Sequence, residues 1–170
     1  MKRIWLVALV SIVLSGCVLY PTTRDYYKPV VKQGQSPAIS ASCGYHKAKY
    51  DGLEQQYAGR TVRVYPTRDD ENAITVIAVM ESTLEESHLV QTQVVTDSGA
   101  LMTLASQTKL TSKYLDSEGV YRSWYETKYP PLKVTPEQMT IMVTDEGGKR
   151  IEFSFEHALQ NDIYYSSINC

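Results

Sequence analysis

The side chains best suited to chemistry are three cysteines, three histidines and one dense group of carboxylates. Cys43 and His46 form a C-x2-H pair, and His88, His157 and Cys170 are further residues able to ligate zinc. Zinc sites commonly draw ligands in closely spaced pairs from both sides. The second side has no such pair, so no metal site is expected. There is no C-x-x-C or C-x-x-C-H, which removes a thioredoxin-like dithiol and a c-type haem attachment. The G-x-S-x-G turn of an α/β-hydrolase is missing, and Asp97-Ser98-Gly99 reads as a hairpin turn instead. Walker-type and dinucleotide-binding glycine patterns are absent as well. Glu81, Glu85 and Glu86 lie close to His88. Glycoside hydrolysis would need two carboxylates held across a cleft, and a solvated loop is the plainer reading of this cluster. No catalytic residue is assigned.

Aromatic residues are the feature above background, with thirteen tyrosines against two phenylalanines. Tyr121, Trp124, Tyr125 and Tyr129 precede Pro130-Pro131. On an alternating strand Tyr121 and Tyr125 share one face while Trp124 takes the other. Such rings combine large apolar area with a polar tip, which suits an interface. These four are therefore candidate partner-binding residues, against the competing reading of a sheet face or core edge.

The chain opens with Met1-Lys2-Arg3, and Ile4 to Leu14 contains one polar residue, Ser11. A charged start, a short apolar run and small residues are the layout of a secretory signal peptide. Eleven residues at about 1.5 Å each span roughly half of a ~30 Å hydrocarbon layer, too little for a membrane-crossing helix. Leu14-Ser15-Gly16-Cys17 resembles the bacterial lipoprotein processing box, and the resemblance is confined to this signal. It implies cleavage before Cys17, diacylglycerol on the cysteine sulfur and an acyl group on the new amino terminus. No other cofactor is expected. Val18 follows the cysteine, where enterobacterial lipoproteins kept in the inner membrane often carry Asp. By that analogy the anchor lies in the outer membrane, on its periplasmic side.

Lipidation of Cys17 leaves Cys43 and Cys170, and exported proteins meet an oxidising compartment. A Cys43–Cys170 disulfide is therefore expected. Its loop of about 128 residues would contribute on the order of 4–5 kcal/mol in the chain-entropy model. Loss of the leader removes Lys2 and Arg3, leaving 15 Lys and Arg against 19 Asp and Glu. That mildly acidic balance lacks the basic patch of a nucleic-acid binder.

These residues must be held by a fold, and three segments are expected. Residues 1–16 are the leader, and 17–42 are the lipidated cysteine and a flexible tether punctuated by Pro21, Pro29 and Pro37. Residues 43–170 form one β-rich domain. Short polar turns at Arg68–Asn72, Asp97–Gly99, Asp116–Gly119 and Asp145–Gly148 separate runs rich in β-branched and aromatic residues. Ile151, Phe153 and Phe155 alternate with polar neighbours, and Met139, Ile141 and Val143 offer a matching face. About nine such strands predict a single antiparallel β-sandwich of immunoglobulin-like architecture, with a small β-barrel as the alternative. Tyr50, Leu53 and Tyr57 have helical spacing ahead of Gly59, so a short helix is expected near 45–58. A single helical turn is expected at Thr135–Gln138. The function expected is a lipid-anchored, periplasm-facing, non-enzymatic interaction or accessory subunit with an envelope protein partner. The alternative is a small-ligand or glycan binder, or a hydrolase acting on envelope polymers.

Overall fold

A computed structural model describes residues 18–40, 49–85, 88–97, 101–102 and 107–166. Hydrophobic alternation sets the strands. Phe153 and Phe155, with Ile151, point inward from β11 (Arg150–Ser166) and stand opposite Ile141, Met139 and Val143 of β10 (Gln138–Asp145). All six are buried. The remaining strands are β1 (Val18–Val30), β2 (Gln35–Ala38), β3 (Gly52–Tyr57), β4 (Arg60–Arg68), β5 (Ile74–Ser82), β6 (Leu89–Thr96), β7 (Leu101–Met102), β8 (Lys109–Leu115) and β9 (Tyr121–Lys128).

Three turns share one construction. In each, an aspartate leads and the residue three places on has positive φ: Asp69 with Asn72 (64°), Asp116 with Gly119 (78°), and Asp145 with Gly148 (76°). The aspartate carboxylate accepts the backbone N–H four residues ahead, from Ala73, Val120 and Lys149 respectively. Its backbone N–H donates to that same residue's carbonyl. This is the three-residue hairpin loop with a left-handed final residue, a conformation that glycine and asparagine adopt most readily.

Every strand pairing is antiparallel, in two sheets ordered β1-β11-β10-β6-β7 and β2-β3-β4-β5-β9-β8. Neither sheet closes on itself, so the architecture is the expected two-sheet sandwich and not the barrel. Val62, Val64, Ile74, Val76, Ala78 and Met80 from one sheet share a core with Val94, Ile141, Phe153 and Phe155 from the other.

Two expectations about local structure are corrected. Gly52–Tyr57 is a strand, not a helix, and no helix occurs among the described residues. Ala58 and Gly59 have φ of 49° and 75° and close a two-residue hairpin between Tyr57 and Arg60, so Gly59 serves a turn and not a helix end. A Cβ on Gly52 would stand 2.4 Å from the Tyr65 ring, which explains a glycine here. Thr135–Glu137 is likewise non-helical, and the Thr135 hydroxyl instead meets Arg68 and Asn72.

A third correction concerns the tether. Val18–Val30 is a strand registered along its whole length with β11, and Gln35–Ala38 pairs with β3. Both are edge strands, which tolerate Pro21, Pro29 and Pro37 where a central strand would lose ladder bonds. Between Tyr20 and Val30 only Arg24 and Tyr27 are buried, so no period of two marks the strand.

Candidate functional site

The alternation that buries Val62 and Val64 of β4 sends Arg63, Tyr65 and Thr67 to the outer face of the six-stranded sheet. On β5 the same face carries Ile77, Val79 and Glu81; on β9 it carries Arg122 and Trp124. Register aligns these residues in rows: Arg63 opposes Val79, which opposes Trp124, while Glu81 opposes Arg122. The result is a groove of about 390 Å³, rimmed by Ile39 and Ser40 just after β2. The Tyr65 hydroxyl donates to the Ile39 carbonyl at 3.3 Å and ties that rim to the sheet. Trp124 stacks on Tyr114 of β8, with ring centroids 5.2 Å apart and planes 24° from parallel.

One end of the groove is ionic. Arg63 donates through Nη1 and Nη2 to the two Glu81 oxygens at 2.6 and 3.1 Å, a bidentate pair, and through Nε to Glu54. Arg122 Nε lies 3.2 Å from Glu81, and Arg122 Nη2 lies 3.2 Å from Asp116. Burial alone would lower the Arg63 pKa, but the hydrogen bonds to Glu81 and Glu54 outweigh it and hold the guanidinium charged beyond its ordinary range. The field of Glu81, aided by Tyr114, does the same for Arg122. Burial raises the Tyr65 hydroxyl pKa, with Arg63 opposing. The network fixes planar charged groups beside an apolar floor, which is the composition of a binding surface.

The four aromatic candidates separate as the strand alternation requires. Trp124 opens onto the groove, whereas Tyr125 and Tyr129 are only 3% and 2% exposed and belong to the core. Tyr129 lies past the strand end, where its N–H bonds the Ile74 carbonyl and its hydroxyl donates to the Thr92 carbonyl at 2.7 Å. Tyr121 is half-buried; its hydroxyl reaches Glu85 at 3.4 Å and the Lys113 ammonium sits over its ring. The four therefore do not make one exposed patch. In the carboxylate cluster Glu81 lines the groove, the Glu85 carbonyl accepts from Lys113, and His88 is half-buried just before β6. Glu86, Cys17, Cys43 and Cys170 lie outside the described residues, and so does the expected disulfide. Among the described residues no group of three His, Cys, Asp or Glu side chains is placed to hold a metal ion.

Arg63, Tyr65 and Ile77 were not singled out from sequence. Their strand parity was readable, but the pairing that sets β4 beside β5 and β9 was not.

A second, smaller cleft of about 210 Å³ lies between β1 and β4. Arg24, 5% exposed, contacts Asp51 and lies 4.3 Å over the Tyr26 ring. Asp25 is held by Arg68 and by His157 Nε2 at 2.8 Å. Lys49 is pushed below the usual lysine range by burial, then by Arg24. These contacts join β1, in one sheet, to the other sheet.

No protein-family model matches the chain, and no curated protein or solved structure is significantly similar to it. No described helix is long and apolar enough to cross a membrane.

Proposed function

We propose that this chain is a lipid-anchored, periplasm-facing envelope protein that binds a protein partner as a non-enzymatic accessory subunit. The leader and the Leu14-Ser15-Gly16-Cys17 box support the anchor. The observation that carries the binding role is the outer groove. It sets Trp124, Tyr65 and Ile77 beside a guanidinium–carboxylate network whose geometry is fixed before any partner arrives. Aromatic anchors with arginine are the residues that dominate interface energetics, and a rigid surface loses less entropy on binding. Crosslinking in whole envelopes, followed by mass spectrometry of what is captured, tests the proposal. A specific partner recovered with the native chain and lost with Trp124→Ala supports it. Recovery unaffected by that substitution removes the groove from the account.

A second reading, a glycan binder, has one observation in its favour: an indole beside fixed charged donors suits a sugar ring, which is apolar on its faces and polar at its rim. Titration with envelope glycan fragments, followed by Trp124 fluorescence, separates it from the first. Hydrolysis has less support, because the groove's lining carboxylate, Glu81, is engaged by both Arg63 and Arg122.

A further inference from the structure

β1 starts at Val18, immediately after the cysteine read as lipid-bearing, and Val18–Thr23 pair with Asn161–Ser166 of β11. Two features distinguish this end of the ribbon. It carries almost no charge: residues 18–23 and 163–166 contain no Asp, Glu, Lys or Arg, and Asp162 is 7% exposed. It also presents aromatic and apolar side chains. Tyr20 stands opposite Tyr164 with ring centroids 5.2 Å apart, Tyr20 is 45% exposed, and the neighbouring Ile163 is 48% exposed. Tyrosine, with an apolar ring and a polar tip, is a residue of the membrane–water interface.

We infer that this end of the β1–β11 ribbon is a membrane-contact surface, seated in the headgroup layer of the bilayer that holds the Cys17 lipid. The inference rests on the lipid-anchor reading of Cys17. Tyr20 lies three residues from that cysteine, about 10 Å along a strand at ~3.3 Å per residue. A strand inclined to the membrane brings that height within a headgroup layer of about 5–8 Å. Charge resumes at Arg24 and Asp25, some 23–26 Å along the strand, where Asp51 and Arg68 clamp the ribbon to the other sheet. The anchor is thus joined to the body by paired strand, not by a swinging tether, and the body is held in one orientation at the bilayer. A phospholipid surface fits this tip better than a protein strand, because the lipid is already delivered there by the anchor.

The test uses full-length protein, processed in cells and reconstituted in phosphatidylcholine vesicles brominated near the top of the acyl chains. Trp124→Phe makes an introduced tryptophan the sole one after Trp5 leaves with the leader. Tryptophan is then placed by Tyr20→Trp, by Ile163→Trp, or by Glu146→Trp in the turn at the opposite end of β11. The first two lose about half or more of their emission to bromine, and the third keeps its emission, as interfacial depth requires. Ile163→Trp decides the matter where Tyr20→Trp fails to fold. Equal quenching at all three positions, in protein whose mass shows lipid on Cys17, overturns the inference and leaves the anchor standing. Absence of lipid on Cys17 overturns both.

Discussion

Trp124 and Tyr114 stack at 5.2 Å on the outer face of the six-stranded sheet, on neighbouring strands β9 and β8. Stacked pairs contribute about 0.5–1.5 kcal/mol beyond their burial, so Trp124→Ala is expected to lower stability by at least that amount, with the lost ring burial added. Partner capture should fall tenfold or more, the scale of an interface hot spot of about 2 kcal/mol. Thermal melting and quantitative pull-down measure the two effects separately. A large melting loss with undiminished capture would assign Trp124 to stability alone.

The core behaves differently. Phe153 is fully buried between Ile141 and its neighbours. Phe153→Ala should cost about 3–5 kcal/mol in urea unfolding through lost burial and the cavity left behind. A cost below about 1 kcal/mol would mean that the two sheets do not pack as described.

Arg24 and Asp51 hold β1 against the other sheet, and Arg24 is 5% exposed. In Asp51→Ala the Arg24 guanidinium keeps Gln160 and the Tyr26 ring, so loss of the charged hydrogen bond should cost about 1.5–3 kcal/mol. Asp51→Ala should therefore destabilise the protein and raise amide exchange along Tyr20–Val30 before the rest of the chain. Unchanged protection of β1 would show that β11 alone holds it.

Burial pushes the Tyr27 hydroxyl up to about 12, with Arg68 opposing and Asp25 adding to the rise. The folded pKa lies above the ordinary value of 10, so the proton is retained longer in the folded state. The associated stability is fully present below pH 10 and is lost as pH rises from 10 to about 12. Tyr27→Phe should be close to neutral near physiological pH, because the hydroxyl finds no hydrogen-bond partner among the described residues. It should lose less stability than the native chain at about pH 11. Urea midpoints at both pH values test this, and parallel losses would refute it.

Much of the fold was legible from residue patterns. Ile151, Phe153 and Phe155 announced β11 by alternation, and the aspartate-led turns at Asp116 and Asp145 announced their hairpins. Helical spacing misled at Tyr50, Leu53 and Tyr57. A six-residue strand entering a two-residue turn can carry such spacing by chance, and the deciding contact, Gly52 under the Tyr65 ring, is tertiary. β1 was missed because an edge strand with two buried side chains after Tyr20 has no amphipathic signature. Among the site residues, Trp124 was legible as an aromatic on the face opposite Tyr121 and Tyr125. Its neighbours Arg63, Tyr65 and Ile77 were not, because they come from separate strands joined only by sheet register.

The partner-binding claim is tested most directly by a photoreactive residue placed at Ile39, on the groove rim and 56% exposed, in living cells. A partner seated in the groove gives one discrete adduct with an envelope protein, lost in Trp124→Ala and absent when the same residue replaces Glu146. No adduct at Ile39, or the same adducts from both positions, would contradict the claim.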